Sequence, residues 1–170
     1  MRQGLGHRIT ADVGPPILRY AVSQGALAIE IRENDARAYE ILQSLVHRQT
    51  DWTCSAERAC LRVLEGGCSV PVGVTSALEP ASAGGEERLH LTGCVTSIDG
   101  ATHVEHTVVE DIRSREDAEA VGAQLARILI ETGAGVILKE ITKDRAARTN
   151  AEVKTAAEVE KIEASMEATA

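Results

Sequence analysis

The stretch Leu64-Glu65-Gly66-Gly67-Cys68-Ser69-Val70-Pro71-Val72-Gly73 decides how this chain folds. An alanine-rich helical segment runs into two glycines, and one cysteine stands between them and a β-branched run interrupted by proline. Paired glycines open positive φ to the backbone and remove side-chain bulk, so Cys68 can be approached closely. Pro71 holds the exit extended and biases Val70 away from helix. The stretch predicts a thiol on a short exposed loop between a helix and a strand, a placement that suits covalent chemistry. Chemistry alone goes no further, because a lone cysteine is more often a small buried hydrophobe than a nucleophile.

Upstream of that junction, Thr50 or Asp51 can cap a helix running to about Leu64, with Trp52, Ala56, Cys60 and Val63 at helical spacing. Cys60 is thus expected in the core, and Trp52 is read as a packing anchor rather than a stacking platform. Asn34 or Asp35 can cap an earlier helix to about Val46, burying Ala38, Ile41, Leu42 and Leu45. Before it, Ala26 to Arg32 alternates as a strand, with Leu27, Ile29 and Ile31 on one side. Residues 1–20, with Gly4, Gly6, Gly14 and the Pro15-Pro16 pair, read as loop and linker.

Downstream, Val70 to Leu78 is β-branched and strand-like, and Glu79 to Glu87 is a polar turn. Leu89, Leu91, Gly93 and Val95 alternate along a second strand, Asp99-Gly100 signals a hairpin, and a third strand spans Thr102 to Glu110. Ser114 with Asp117 resembles a capping box, opening a helix to about Thr132 that carries Val121, Leu125, Ile128 and Leu129 and ends at Gly133. Val136 to Ile141 can close the fold as a short strand or helix turn. The expected fold class is α+β: a two-layer domain of a three-stranded antiparallel sheet with helix cover. It is preceded by a remnant, strand plus helices, of an α/β domain.

Composition narrows the function. Apolar residues make up 44% of the 170, yet phenylalanine is absent, so the core must be aliphatic. Through Cys68 eight arginines face eight acidic residues, and beyond it ten basic face eighteen acidic, which accounts for the net −8. Such a chain is a poor candidate for nucleic acid, which wants a basic face. Cys54, Cys60, Cys68 and Cys94 show no zinc spacing, and reduced cysteines in a cytoplasmic protein are the simplest reading. No signal peptide and no apolar run long enough to span a bilayer is read, so no membrane partner is expected. His103 and His106 fall on opposite faces of their strand, which argues against a shared metal site; no metal is expected. His47 and His90 are isolated, Cys94 is expected to pack within its strand, and Glu30 and Glu57 could orient neighbours or be plain surface carboxylates. The Ala, Glu, Lys and Thr of Lys143 to Ala170 read as a charged tail, helical or disordered.

Ala56-Glu57-Arg58-Ala59 followed by Leu64 to Gly73 resembles the cofactor-attachment segment of the porphobilinogen deaminase (hydroxymethylbilane synthase) family. Ala21-Val22-Ser23-Gln24-Gly25-Ala26-Leu27 with Ile29-Glu30-Ile31-Arg32 resembles a second signature of that family, at a fitting separation; the resemblance covers about residues 2 to 141. It implies a dipyrromethane cofactor joined to Cys68 through a thioether. Porphobilinogen loses ammonia, the terminal pyrrole attacks the resulting electrophile, and four additions precede hydrolytic release of hydroxymethylbilane in heme (tetrapyrrole) biosynthesis. By the same resemblance Arg2 binds carboxylates of cofactor and substrate, and Gln24 and Gly25 present backbone groups to the cofactor. Position 23 is Ser where many relatives have Gly. The implied domains are a remnant of the second domain with the interdomain segment (1–33), connecting helices (34–66), the cofactor-bearing C-terminal domain (67–142) and the tail (143–170).

The family's catalytic aspartate and most of its substrate-holding cations have no counterpart here, so no catalytic residue is assigned. The expectation is that the chain lacks the first domain and is inactive alone on porphobilinogen and the growing oligopyrrole, a complementary N-terminal portion being its natural partner. The rival readings are a non-catalytic truncated fragment and a small α+β binding module whose acidic tail recruits a partner.

Overall fold

The computed structural model describes residues 3–64, 70–80, 86–145 and 147. Three strands, β1 (Val72–Pro80), β2 (Glu87–Thr96) and β3 (His103–Ile112), form one antiparallel sheet in the order β1-β2-β3. Helices α2 (Arg48–Val63) and α3 (Arg115–Leu129) cover one face, and α1 (Ala36–Gln43) precedes them. The α+β class expected from the sequence is therefore the observed one.

Alternation places the core. Leu89, Leu91 and Val95 of β2, Val74 of β1, and Val108 and Ile112 of β3 are buried, facing Ala118, Val121, Leu125 and Leu129 of α3 and Ala56 and Cys60 of α2. Each fully buried leucine here contributes about 1.5–3 kcal/mol over its exposed state. The helices approach most closely where Gly122 of α3 meets the Ala56 backbone of α2; a Cβ at 122 would collide with the Ala56 carbonyl. Trp52 packs against this core as expected, with the Arg48 guanidinium stacked 4.6 Å from its ring centroid.

Cap chemistry sets the helix starts. Asp35 accepts from the Ala38 amide at the head of α1, and Ser114 and Asp117 complete the anticipated capping box on α3. At α2 the cap differs from the expected Thr50 or Asp51. The His47 ring accepts from the Thr50 amide, so the helix begins at Arg48 and Asp51 falls in its first turn, where the helix dipole favours it.

Four expectations are corrected. Residues 26–32 form no strand: they are extended without a ladder partner among the described residues, and Leu27 is 99% exposed. Among the described residues, the outer edge of β1 takes a single bridge, from Tyr20 to Val74. Helix α1 exists but buries none of its residues, and Ile41 and Leu45 are exposed because no described element packs on that side. Gly133, with φ 127°, kinks the chain rather than ending the helix; a π-type turn over Ile130–Ala134 leads into further helix through residue 145. The resulting Arg115–Arg145 helix is long and apolar enough by composition to cross a membrane, contrary to the expectation that no such run exists. Packing accounts for that character, since Ala118, Val121, Leu125, Leu129, Ile137 and Ile141 are all core.

Candidate functional site

The junction that organises the sequence is held at both ends. Leu64 caps α2 through its amide to the Cys60 carbonyl and is buried, and Val70 packs against the core before β1. Cys68 itself, between these anchors, lies outside the described residues, as do Arg2 and the 148–170 part of the tail.

The other cysteines lie in the walls of the fold. Cys60 is fully buried, and burial, then the nearby Glu57 carboxylate, pushes its thiol up to about 12. Cys94 is buried on the sheet face away from the helices, and its thiol is raised mainly by burial, opposed by a hydrogen bond from the Gly73 amide. Neither supplies thiolate readily. Cys54 sits half-buried on α2.

Gln24 and Gly25 belong to a turn laid against α2 and β1. Gln24 closes it twice, its amide donating to the Ala21 carbonyl (3.0 Å) and its Oε1 accepting from the Ala21 amide (3.1 Å). Gly25 has φ 84°, and Ser23 takes φ 58°, a left-handed conformation that favours glycine and costs a serine about 1–2 kcal/mol. The turn is tied down by Glu57. One carboxylate oxygen accepts from the Ser23 amide (2.6 Å) and the other from the Ser76 hydroxyl (2.6 Å), while Arg58 Nε donates to Ser23 Oγ (3.1 Å). Glu57 is only 8% exposed. The sequence left it undecided between an orienting and a surface carboxylate; its place at the edge of the face that buries Ala56 and Cys60 was the signal.

A second anchor was not anticipated. Gly73, Cys94 and Glu105 stand side by side across the three strands, and Arg19 lies over them to a bidentate pair with Glu105 (2.9 Å to each oxygen). That hydrogen bonding holds the Glu105 carboxyl below its ordinary range. His103 lies beside it, its Nδ1 paired with Thr96 Oγ1 at 2.9 Å, so the Cys94, His103 and Glu105 donor atoms come within 4.8 Å of one another. Both Glu105 oxygens are taken by a guanidinium whose charge stands where a cation would. The cluster carries an arginine latch.

A three-stranded antiparallel sheet under two packed helices defines the class: a two-layer α+β domain. Residues 52–131 match the family model described as porphobilinogen deaminase, C-terminal domain. The porphobilinogen deaminase of Synechococcus sp. (strain RCC307) is 46% identical over 141 residues, covering 82% of this chain and 41% of that protein. That of Eremothecium gossypii is 45% identical over 142 residues (83% and 42%), and that of Debaryomyces hansenii 39% over 145 (85% and 39%). The chain belongs to the porphobilinogen deaminase family, a transferase family of porphyrin and heme biosynthesis. It spans about two-fifths of the length of the curated relatives it matches.

Proposed function

We propose that this chain is the cofactor-bearing portion of a porphobilinogen deaminase, with dipyrromethane bound through a thioether to Cys68. The disposition of the cysteines carries this reading. Cys60 and Cys94 are buried with raised thiols, whereas Cys68 follows two glycines between a helix end and a strand. When bound, the dipyrromethane supplies the nucleophilic pyrrole carbon onto which porphobilinogen units add. The chain's own part is to anchor it: a soft thiolate forms the bond, Arg2 meets carboxylates with its guanidinium fork, and the Gln24-Gly25 backbone faces the cofactor. Free thiols at Cys54, Cys60 and Cys94 support a reducing, cytoplasmic setting.

Turnover requires more than these residues. Arg19, Arg48, Arg62, Arg88, Arg113 and Arg115 are paired with the chain's own carboxylates, and none of them is spare for the many acid groups of an oligopyrrole. The catalytic aspartate and substrate-holding cations come from a complementary N-terminal portion. The deciding measurement is intact mass after incubation with hydroxymethylbilane. A gain of one four-pyrrole unit (hydroxymethylbilane less the water lost as the thioether forms) in the wild type and none in Cys68→Ala is expected; an unmodified, folded wild type would sink the reading. A separately made N-terminal portion of a relative should then bring porphobilinogen consumption to the mixture, and not to a mixture containing Cys68→Ala.

A further inference from the structure

Glu57 is a buried carboxylate, and no described cation lies within ion-pair distance of it. Burying a charge on hydrogen bonds alone is costly, so what it holds in place matters more than what it adds to stability. Its two oxygens reach different parts of the chain: the Ser23 amide, 34 residues earlier, and the Ser76 hydroxyl on β1, 19 residues later. It therefore joins three segments at one point, α2, β1 and the Ser23–Gly25 turn. In the chain, Cys68 falls between helix α2 and strand β1.

The turn has few other reasons to stay where it is. Ser23 holds a left-handed φ, the adjoining Leu27 is exposed, and the neighbouring anchors are the Tyr20 bridge to β1 and the Arg19 latch to Glu105. Those two fix residues 19 and 20, and only Glu57, helped by Arg58 on Ser23 Oγ, fixes the turn itself among the described residues.

We propose that Glu57 is a positioning residue that locks the Gln24-Gly25 turn to α2 and β1, so that the backbone assigned to the cofactor is held in one place. It touches neither sulfur nor cofactor in this role and acts through the Ser23 amide. The proposal rests on the cofactor-bearing reading of the chain and extends it to a residue outside the attachment loop.

The test compares wild type, E57A, E57Q and S76A in two measurements: amide hydrogen exchange of the unloaded full chain, and the rate of mass gain with hydroxymethylbilane. A charge-assisted hydrogen bond to a buried group is worth roughly tenfold in a local opening equilibrium. E57A should exchange the amides of Ser23 to Ala26 about tenfold faster, leave the α3 amides within about twofold, and load about tenfold more slowly. E57Q keeps an oxygen for the Ser23 amide and an NH2 for Ser76 Oγ, and should return both readings to within about threefold of wild type. Turn exchange unchanged in E57A, or turn and α3 loosened alike, overturns the proposal. So does a loosened turn with undiminished loading. Should E57A fail to fold, S76A decides: it removes only the hydroxyl partner, and a turn exchanging at the wild-type rate in it overturns the lock. A wild type that never gains mass defeats the cofactor reading instead, while the exchange measurement still decides what Glu57 holds.

Discussion

Arg19 spans the outer face of the sheet because one residue below it has no side chain. A Cβ at Gly73 would lie 2.6 Å from Arg19 Cβ and 3.0 Å from Cys94 Sγ, so G73A must lift the arginine or spread the strands. We expect G73A to lose about 1–3 kcal/mol, read as a lower urea midpoint at unchanged slope. An unchanged midpoint would mean that the 18–22 segment detaches at no cost. The latch also has a pH signature. Arg19 lowers the Glu105 pKa in the folded state, so its stabilisation is fully present above the ordinary carboxylate pKa and is lost as pH falls through the lower folded value. Unfolding measured from neutral to acid pH should therefore show a shallower acid loss in E105Q than in wild type, and a parallel curve would remove Glu105 from the linkage. None of this was legible in the sequence. Arg19 and Glu105 are 86 positions apart, and no local pattern pairs them.

Helices and strands formed largely where periodicity and caps put them, but burial did not follow from periodicity alone. Both α1 and α3 carry apolar residues at helical spacing, yet α3 buries six residues and α1 none. The difference lies in what faces them. L125A should cost about 2–5 kcal/mol by leaving a cavity against β2, whereas I41A should stay within about 0.5 kcal/mol, both read from chemical denaturation. Equal losses would show that α1 packs on something in solution. S114A should cost about 1 kcal/mol by leaving first-turn amides of α3 unsatisfied. The capping box and the β2 alternation were readable because they are local. Gly133 was misread because a positive-φ glycine can close a helix or merely kink it, and the apolar residues Ile137 and Ile141 beyond it, which find the same core, settle which.

As a whole the molecule is unevenly buried. The sheet with α2 and α3 has a dry core, while Ile17, Leu18, Leu27, Ile29, Ile41 and Leu45 lie exposed in the preceding 45 residues. Exposed apolar groups on this scale mark surfaces that associate. If a complementary N-terminal portion of a relative completes the protein, its addition should slow amide exchange across residues 26–46 and leave the β2 core amides nearly unchanged. Slowing in the sheet alone would place the partner elsewhere.

The sequence by itself determined the α+β class, the three antiparallel strands, the capping of α3, the core positions of β2 and the family, through its two motifs. All of these rest on periods of two and 3.6, cap chemistry or contiguous residues, which are properties of neighbours along the chain. Tertiary structure alone decided that Glu57 is a buried tie, that Arg19 crosses to Glu105, that 26–32 finds no ladder among the described residues and that α1 buries none of its residues. Each of these depends on a partner tens of residues away, or on the absence of one. A carboxylate or an apolar stripe takes its meaning from what the fold brings against it.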